Sequence, residues 1–116
     1  MKEALERIDS GVLFSFMGRP DESRRLIDEN RTAFAAALDV ELKNITLPGE
    51  GERSGQIPAL FAAFMQSIGP IVDESRPLAE RRALYLDGLY PRFLELKGTA
   101  QKILDMNQAN MVQAND

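Results

Sequence analysis

Two segments of the chain repeat one arrangement of charge: "RPDESRR" at Arg19–Arg25 and "RPLAERR" at Arg76–Arg82. In each, an Arg-Pro pair is followed at the same spacing by two adjacent arginines, Arg24 and Arg25 in the first copy and Arg81 and Arg82 in the second. Guanidinium groups bind anions through paired N–H donors. A proline in the first turn of a helix leaves the helix N-terminus pointing its free N–H groups outward, which also suits an anion. Arg19, Arg24, Arg76, Arg81 and Arg82 are therefore candidate ligands for a small anion. The competing reading is a solvated surface. Arg24 has Asp28, and Arg25 has Glu29, four residues on, where opposite charges pair along a helix. Asp21, Glu22, Asp73, Glu74 and Glu80 offset more of the charge.

Little else in the sequence points to reaction chemistry. The 116 residues include no His and no Cys. That removes the commonest general base and the commonest transition-metal ligands, and with them disulfides and thiolate metal sites. The close carboxylates of "DVEL" and "VDES" lack the spacing of an oxygen-ligand loop for calcium and fit solvated helix faces better than a catalytic pair. "GEGERSG" contains glycine turns but follows no strand, so it is no phosphate cradle. No catalytic residue, metal site or cofactor is assigned. Asn30, Arg31 and Glu41 fall on or beside an apolar stripe, and satisfied polar contacts at a core edge are the commoner role for such residues. Tyr85 and Tyr90 read as aromatics at the edge of the core.

The elements that must position these groups are helical. The length suits one domain with a single modest core, and 44% apolar with 28% charged residues is ordinary for a folded chain. The net charge of −4 argues against nucleic acid. No apolar run approaches the ~20 residues that span a bilayer, and no signal peptide is evident. Helical spacing and turn residues divide the chain into helices at about 2–17, 20–45, 55–75 and 77–113. Leu5, Ile8, Val12 and Phe16 mark the first, and Ile27, Phe34, Leu38, Glu41 and Ile45 the second. "NITLPGEGERSG" reads as a long loop, with Ser54 as N-cap of the third helix and Pro58 in its first turn. Short turns at Gly18–Pro20 and Arg76–Pro77 predict an all-α, antiparallel, up-down-up-down four-helix bundle with a long C-terminal helix. The arginine turns then lie at one pole, and both ends of the sequence at the other.

The fourth helix carries a seam with steps of three and four at Leu86, Leu89, Phe93, Leu96, Ala100, Ile103, Asn107, Asn110 and Ala114. Stepping back four from Leu86 lands on Arg82. An arginine on a seam needs a partner or a ligand, unless the seam has ended and Arg82 reaches water, which is the simpler reading. Pro91 lies inside the helix and predicts a kink near Asp87 to Leu89. Asn107 and Asn110 place polar groups on the seam, where Asn sets register at some loss of stability. The first helix shows no cap signal and the last no stop signal. This predicts a fragment whose first and fourth helices continue at one pole, as they would into two membrane-spanning helices.

Three stretches carry a resemblance: "ALERIDSGVLFSFMGRPDESRRLIDENRTAFAAAL", "NITLPGEGE" and "YLDGLYPRFLELKGTAQKILDMNQANM". They resemble the opening hairpin, middle loop and closing helix of the all-helical extracytoplasmic sensor domains of bacterial membrane histidine kinases. The closing helix in that family ends in an "I..IN..AM" type motif, read here at Ile103, Asn107 and Met111, with Asn110 where Ala is common. The resemblance implies a periplasmic, non-catalytic input domain flanked by transmembrane helices in a homodimeric two-component kinase. Its signal would be a small anion or a periplasmic protein, and a helix shift passing Pro91, Asn107 and Asn110 would carry that signal to the second transmembrane helix. A chemoreceptor input domain shares the architecture. A soluble adaptor that binds a partner helix along the seam is the alternative from another class.

Overall fold

A computed structural model describes the backbone of residues 1–115 and the side chains of residues 1–109. Among them every element is helical and no strand occurs. The order is α1 (Lys2–Ser15), α2 (Pro20–Lys43), α3 (Glu50–Gln66), α4 (Ile68–Val72), α5 (Leu78–Leu84), a π-helical turn (Tyr85–Leu89) and α6 (Tyr90–Asn115).

The turn between α1 and α2 closes as the residue types require. Gly18 takes φ 71°, the left-handed conformation that glycine adopts freely. This lets Arg19 N–H bond the Phe14 carbonyl at 3.3 Å, the wide closing bond of a helix C-terminus. Pro20 then opens α2, with Asp21 and Glu22 in its first turn, where acidic side chains complement the positive end of the helix. α1 and α2 approach closely at Gly11, where an added Cβ would lie 3.0 Å from Ile27 Cγ1 and 3.3 Å from the Ile27 backbone nitrogen. A larger residue there would force the helices apart.

The core is one cluster drawn from all four long segments. Leu5, Ile8 and Val12 of α1 meet Phe34 of α2, Ile57 and Phe64 of α3, Ile71 of α4, and Leu89 and Leu96 farther on, all of them fully enclosed. Phe34 stacks on Phe61 with centroids 4.0 Å apart, and Phe64 lies 6.4 Å from Phe93. Polar contacts tie further pairs. Lys97 Nζ meets Glu6 Oε1 at 3.0 Å, and Tyr85 Oη donates to Asp9 Oδ1 at 2.8 Å.

Several sequence expectations need correction. The third helix starts at Glu50, after Gly49 at φ 81°, so the loop covers only residues 44–49 and Gly51 and Gly55 are helical. Ser54 is no N-cap. It is fully buried inside α3 and its hydroxyl donates to Glu41 Oε1 at 3.0 Å. Pro58 therefore sits in the body of α3. The expected continuous helix to residue 75 breaks at Ser67, whose hydroxyl bonds the Phe64 carbonyl at 2.7 Å. Pro70 follows and cannot donate to the preceding turn. Ile45 is 37% exposed and leaves the stripe of α2. Finally, α3 and α4 together, Glu50–Val72, span 23 residues and contain an 18-residue window of mean hydropathy 1.3, long and apolar enough to cross a membrane by length and composition, where the sequence had suggested none. Here one face of that stretch lies in the core, through Ile57, Phe64, Ile68 and Ile71.

The largest correction concerns the fourth segment. A π turn occupies Tyr85–Leu89, and Tyr90 N–H bonds the Tyr85 carbonyl. Pro91 explains its place. Its nitrogen carries no hydrogen to bond the Asp87 carbonyl, and its ring would clash with that carbonyl in a regular α-helix. Widening the turn relieves both. A π turn also inserts one residue and so shifts the phase of everything before it. The buried positions accordingly read Arg81, Tyr85, Leu89, Phe93, Leu96, Ala100 and Ile103. Leu86 is 61% exposed, and Arg82 is exposed on the surface. Arg81, not Arg82, takes the seam position. Asn107 is half-buried near the Glu50 carboxylate, while the side chains of Asn110 and Ala114 lie outside the described residues.

Candidate functional site

The arginines expected to share a ligand do not form one cluster. Arg19 pairs with Glu22 at 3.1 Å, and Arg76 with Glu80 at 2.9 Å and Asp73 at 3.4 Å. Arg24 and Arg25 form no ion pair among the described residues, because Asp28 is met instead by Arg31, at 3.7 Å. The expected pairs Arg24–Asp28 and Arg25–Glu29 are thus absent from the structure.

Arg81 has a different task. It is 6% exposed, and no carboxylate touches it among the described residues. Its Nε donates to the Ile71 carbonyl, and its Nη2 to the Ser15 carbonyl at 3.2 Å and the Ser15 hydroxyl at 3.3 Å. The guanidinium also lies 5.5 Å from the centre of the Phe16 ring. Ser15 ends α1 and Ile71 lies in the last turn of α4. One cation therefore binds the negative ends of two helices, where carbonyls lack intrahelical donors. These bonds fasten the fourth segment to α1 and α4, and they take Arg81 out of the ligand set.

Beside that clamp lies a cleft of about 450 Å³ between the start of α2 and the end of α4. Its walls follow from the helical repeat. Ser23, Arg24, Ile27 and Asp28 lie on one side of α2. Ile68 and Val72 face them from α4, and Asp73, Glu74 and Ser75 form the rim in the turn after α4. Of the predicted arginines only Arg24 borders the cleft. Three carboxylates border it too. Asp73 Oδ1 accepts from the Ser75 hydroxyl at 2.6 Å and from the Ser75 N–H at 3.0 Å. With Arg76 nearby, these bonds hold its carboxyl below the ordinary value. Ser23 is 2% exposed and lines the cleft.

A second polar cluster lies at the opposite pole. Glu50 is 1% exposed, and its Oε1 accepts from the N–H groups of Thr46 and Leu47 at 3.2 Å each. It thereby closes the loop that precedes its own helix. Glu41 of α2 faces it and accepts from Ser54. Burial first, and then the neighbouring Glu50 carboxylate, raise the Glu41 carboxyl to about 6. The contact with Glu41, helped by the backbone donors and Asn107, lowers Glu50. Of the two, Glu41 is the carboxyl that takes up a proton first as pH falls.

Sequence reading placed Glu41 beside a stripe but missed Glu50, which it left in the loop. It also missed Ser23, although stepping back four from Ile27 finds that residue on the buried stripe. Candidate metal-binding groups of acidic residues are absent among the described residues. No protein-family model, curated protein or solved structure matches the chain.

Proposed function

We propose that this chain is the extracytoplasmic signal-input domain of a bacterial membrane sensor histidine kinase, built as an up-down-up-down four-helix bundle. The observation that carries the proposal is the placement of the cleft relative to α6. The cleft lies at one pole, against the clamp that Arg81 makes between α1, α4 and the fourth segment. From the π turn, α6 runs 26 residues to the other pole, where α1 also begins. A ligand that prefers one packing of α2 against α4 would bias the clamp between two states, and a stiff helix would convey the shift across the domain. Contacts between neighbours fit antiparallel packing. Glu6 meets Lys97 while Asp9 meets Tyr85, and Phe34 meets Phe61 while Glu41 meets Ser54. In the proposed whole protein, membrane-spanning helices precede α1 and follow α6, the protein is a homodimer, and the kinase lies on the cytoplasmic side.

Protease added to spheroplasts that express the full-length protein tests the location. Cleavage within this domain is expected without lysis, and protection until lysis would contradict the proposal. The adaptor reading keeps one specific observation in its favour: Leu86, Tyr90 and Leu94 are 40–61% exposed along one face of the fourth segment, where a partner helix could lie. Protection until lysis would favour it.

A further inference from the structure

We propose that the fourth segment has two registers: α5 slips by one residue at the π turn, and Arg82 then replaces Arg81 in the clamp on α1 and α4. The slip is a property of this chain alone. It does not rest on the sensor reading, in which it would supply the second packing state.

The first observation is spacing. In the present register the inward residues are Arg81, Tyr85 and Leu89, with steps of four and four. Two successive steps of four overrun the 3.6-residue repeat, and the extra residue of the π turn at Tyr85–Leu89 takes up the difference. In a regular α-helix the steps back from Leu89 are three and four, and they reach Leu86 and Arg82. That second set matches the first in kind. It puts a guanidinium at the clamp and an apolar side chain one turn farther on. The carbonyls of Ile71 and Ser15, now held by Arg81, meet an arginine in either register. Leu86, at present 61% exposed, gains an inward place in the second.

The second observation is how little fixes the phase of α5. Arg81 is its only buried residue, and Leu78 and Leu84 at its two ends are 39% and 37% exposed. Turning α5 by one residue therefore exchanges Arg81 for Arg82 and Tyr85 for Leu86, and displaces the chain by about 1.5 Å. The residue released goes into the turn before α5, where residues 74–77 are all exposed.

The third is the balance between the registers. Tyr85 favours the present one, because its hydroxyl donates to Asp9 Oδ1 at 2.8 Å and its ring meets that of Phe16 edge-on at 6.0 Å. Pro91 favours it too. Its ring would strike the Asp87 carbonyl in a regular helix, and the π turn avoids this. In the second register that clash returns as a kink, while burial of Leu86 acts in the opposite direction. The present register is thus the major state, and the second a minor one that small changes enlarge.

Fluorine NMR of the intact chain labelled with 3-fluorotyrosine tests the proposal, because the chain has only two tyrosines, Tyr85 and Tyr90. Tyr90→Phe assigns the signals, and a soluble paramagnetic agent reads their exposure. Tyr85 is 8% exposed now and turns to solvent in the second register. In the unmodified chain the exposed form of Tyr85 should be at most about a tenth of the population. Pro91→Ala and Arg81→Gln should each enlarge it several-fold. Adding Arg82→Gln to either variant should reverse the gain, because the second register then lacks its clamp. Circular dichroism establishes that each variant is folded, and if Arg81→Gln unfolds, the Pro91→Ala pair still decides. A Tyr85 that stays protected in Pro91→Ala would overturn the proposal. So would an exposed form that Arg82→Gln leaves unchanged, which would mark plain fraying of α5. Neither result bears on whether membrane spans flank the domain, so the failure of the register slip and the failure of the sensor reading are separate outcomes.

Discussion

Arg81 and Arg82 are adjacent in sequence and opposite in role. Arg81 satisfies the carbonyls of Ile71 and Ser15 inside the protein, and Arg82 stands in solvent. Arg81→Met keeps the volume but leaves buried acceptors unpaired, which costs about 1–3 kcal/mol per group. Thermal melts of the two variants in parallel should therefore show a fall of roughly 10 °C for Arg81→Met and a change within about 0.5 kcal/mol for Arg82→Ala. Equal effects would mean that the seam does not pass through Arg81. The Glu41–Glu50 pair makes a second prediction at this scale. Glu41 has its folded value raised to about 6 from 4.5, so between those values the native state holds a proton that the unfolded chain has lost. Stability from Glu41 then falls as pH rises across that window and levels off above it. Glu50 is lowered instead, so its contribution is present above 4.5 and is lost as pH falls through its lower folded value. Glu41→Gln fixes the neutral partner. Its Tm should match the unmodified protein near about pH 5 and exceed it near about pH 8. The same pH profile in both proteins would remove the raised Glu41 carboxyl from the account.

At the scale of elements, the π turn connects sequence to arrangement. Pro91→Ala restores a donor toward the Asp87 carbonyl and removes the reason for the wide turn. The buried side chains of Tyr85 and Arg81 still favour the present phase, so the fold should survive with a modest shift in Tm. In the proposed full-length kinase, the balance of output should change. Unchanged output would remove the turn from the signalling path. This element also shows what could be read beforehand. Helices were legible because apolar residues recur at Ile27, Phe34 and Leu38 and at Phe93, Leu96, Ala100 and Ile103, and the disturbance by Pro91 was placed within a residue or two. Its consequence was not legible. Whether a proline kinks a helix or widens a turn depends on packing around it, and widening moved the seam from Leu86 and Arg82 to Tyr85 and Arg81. Glycine-rich "GEGERSG" misled for a related reason: burial of Glu50 and Ser54 against Glu41 outweighs the weak helix propensity of Gly51 and Gly55. In the cleft, Arg24 could be named from charge spacing. The acidic rim required knowing that α4 ends at Val72 and turns Asp73 and Glu74 toward α2.

The whole molecule is a rod of 55 × 24 × 21 Å, with a polar cleft at one pole and a buried carboxyl pair at the other. That polarity suits a device that receives at one end and transmits at the other. The central claim is that transmission goes into a membrane. The most direct test is the sequence of the reading frame on both sides of residues 1–116 in the source genome. The account predicts an apolar segment of about 20 residues immediately before α1 and another immediately after α6, with a kinase module beyond the second. A frame without apolar segments on either side would contradict it and would leave the helical adaptor as the better reading.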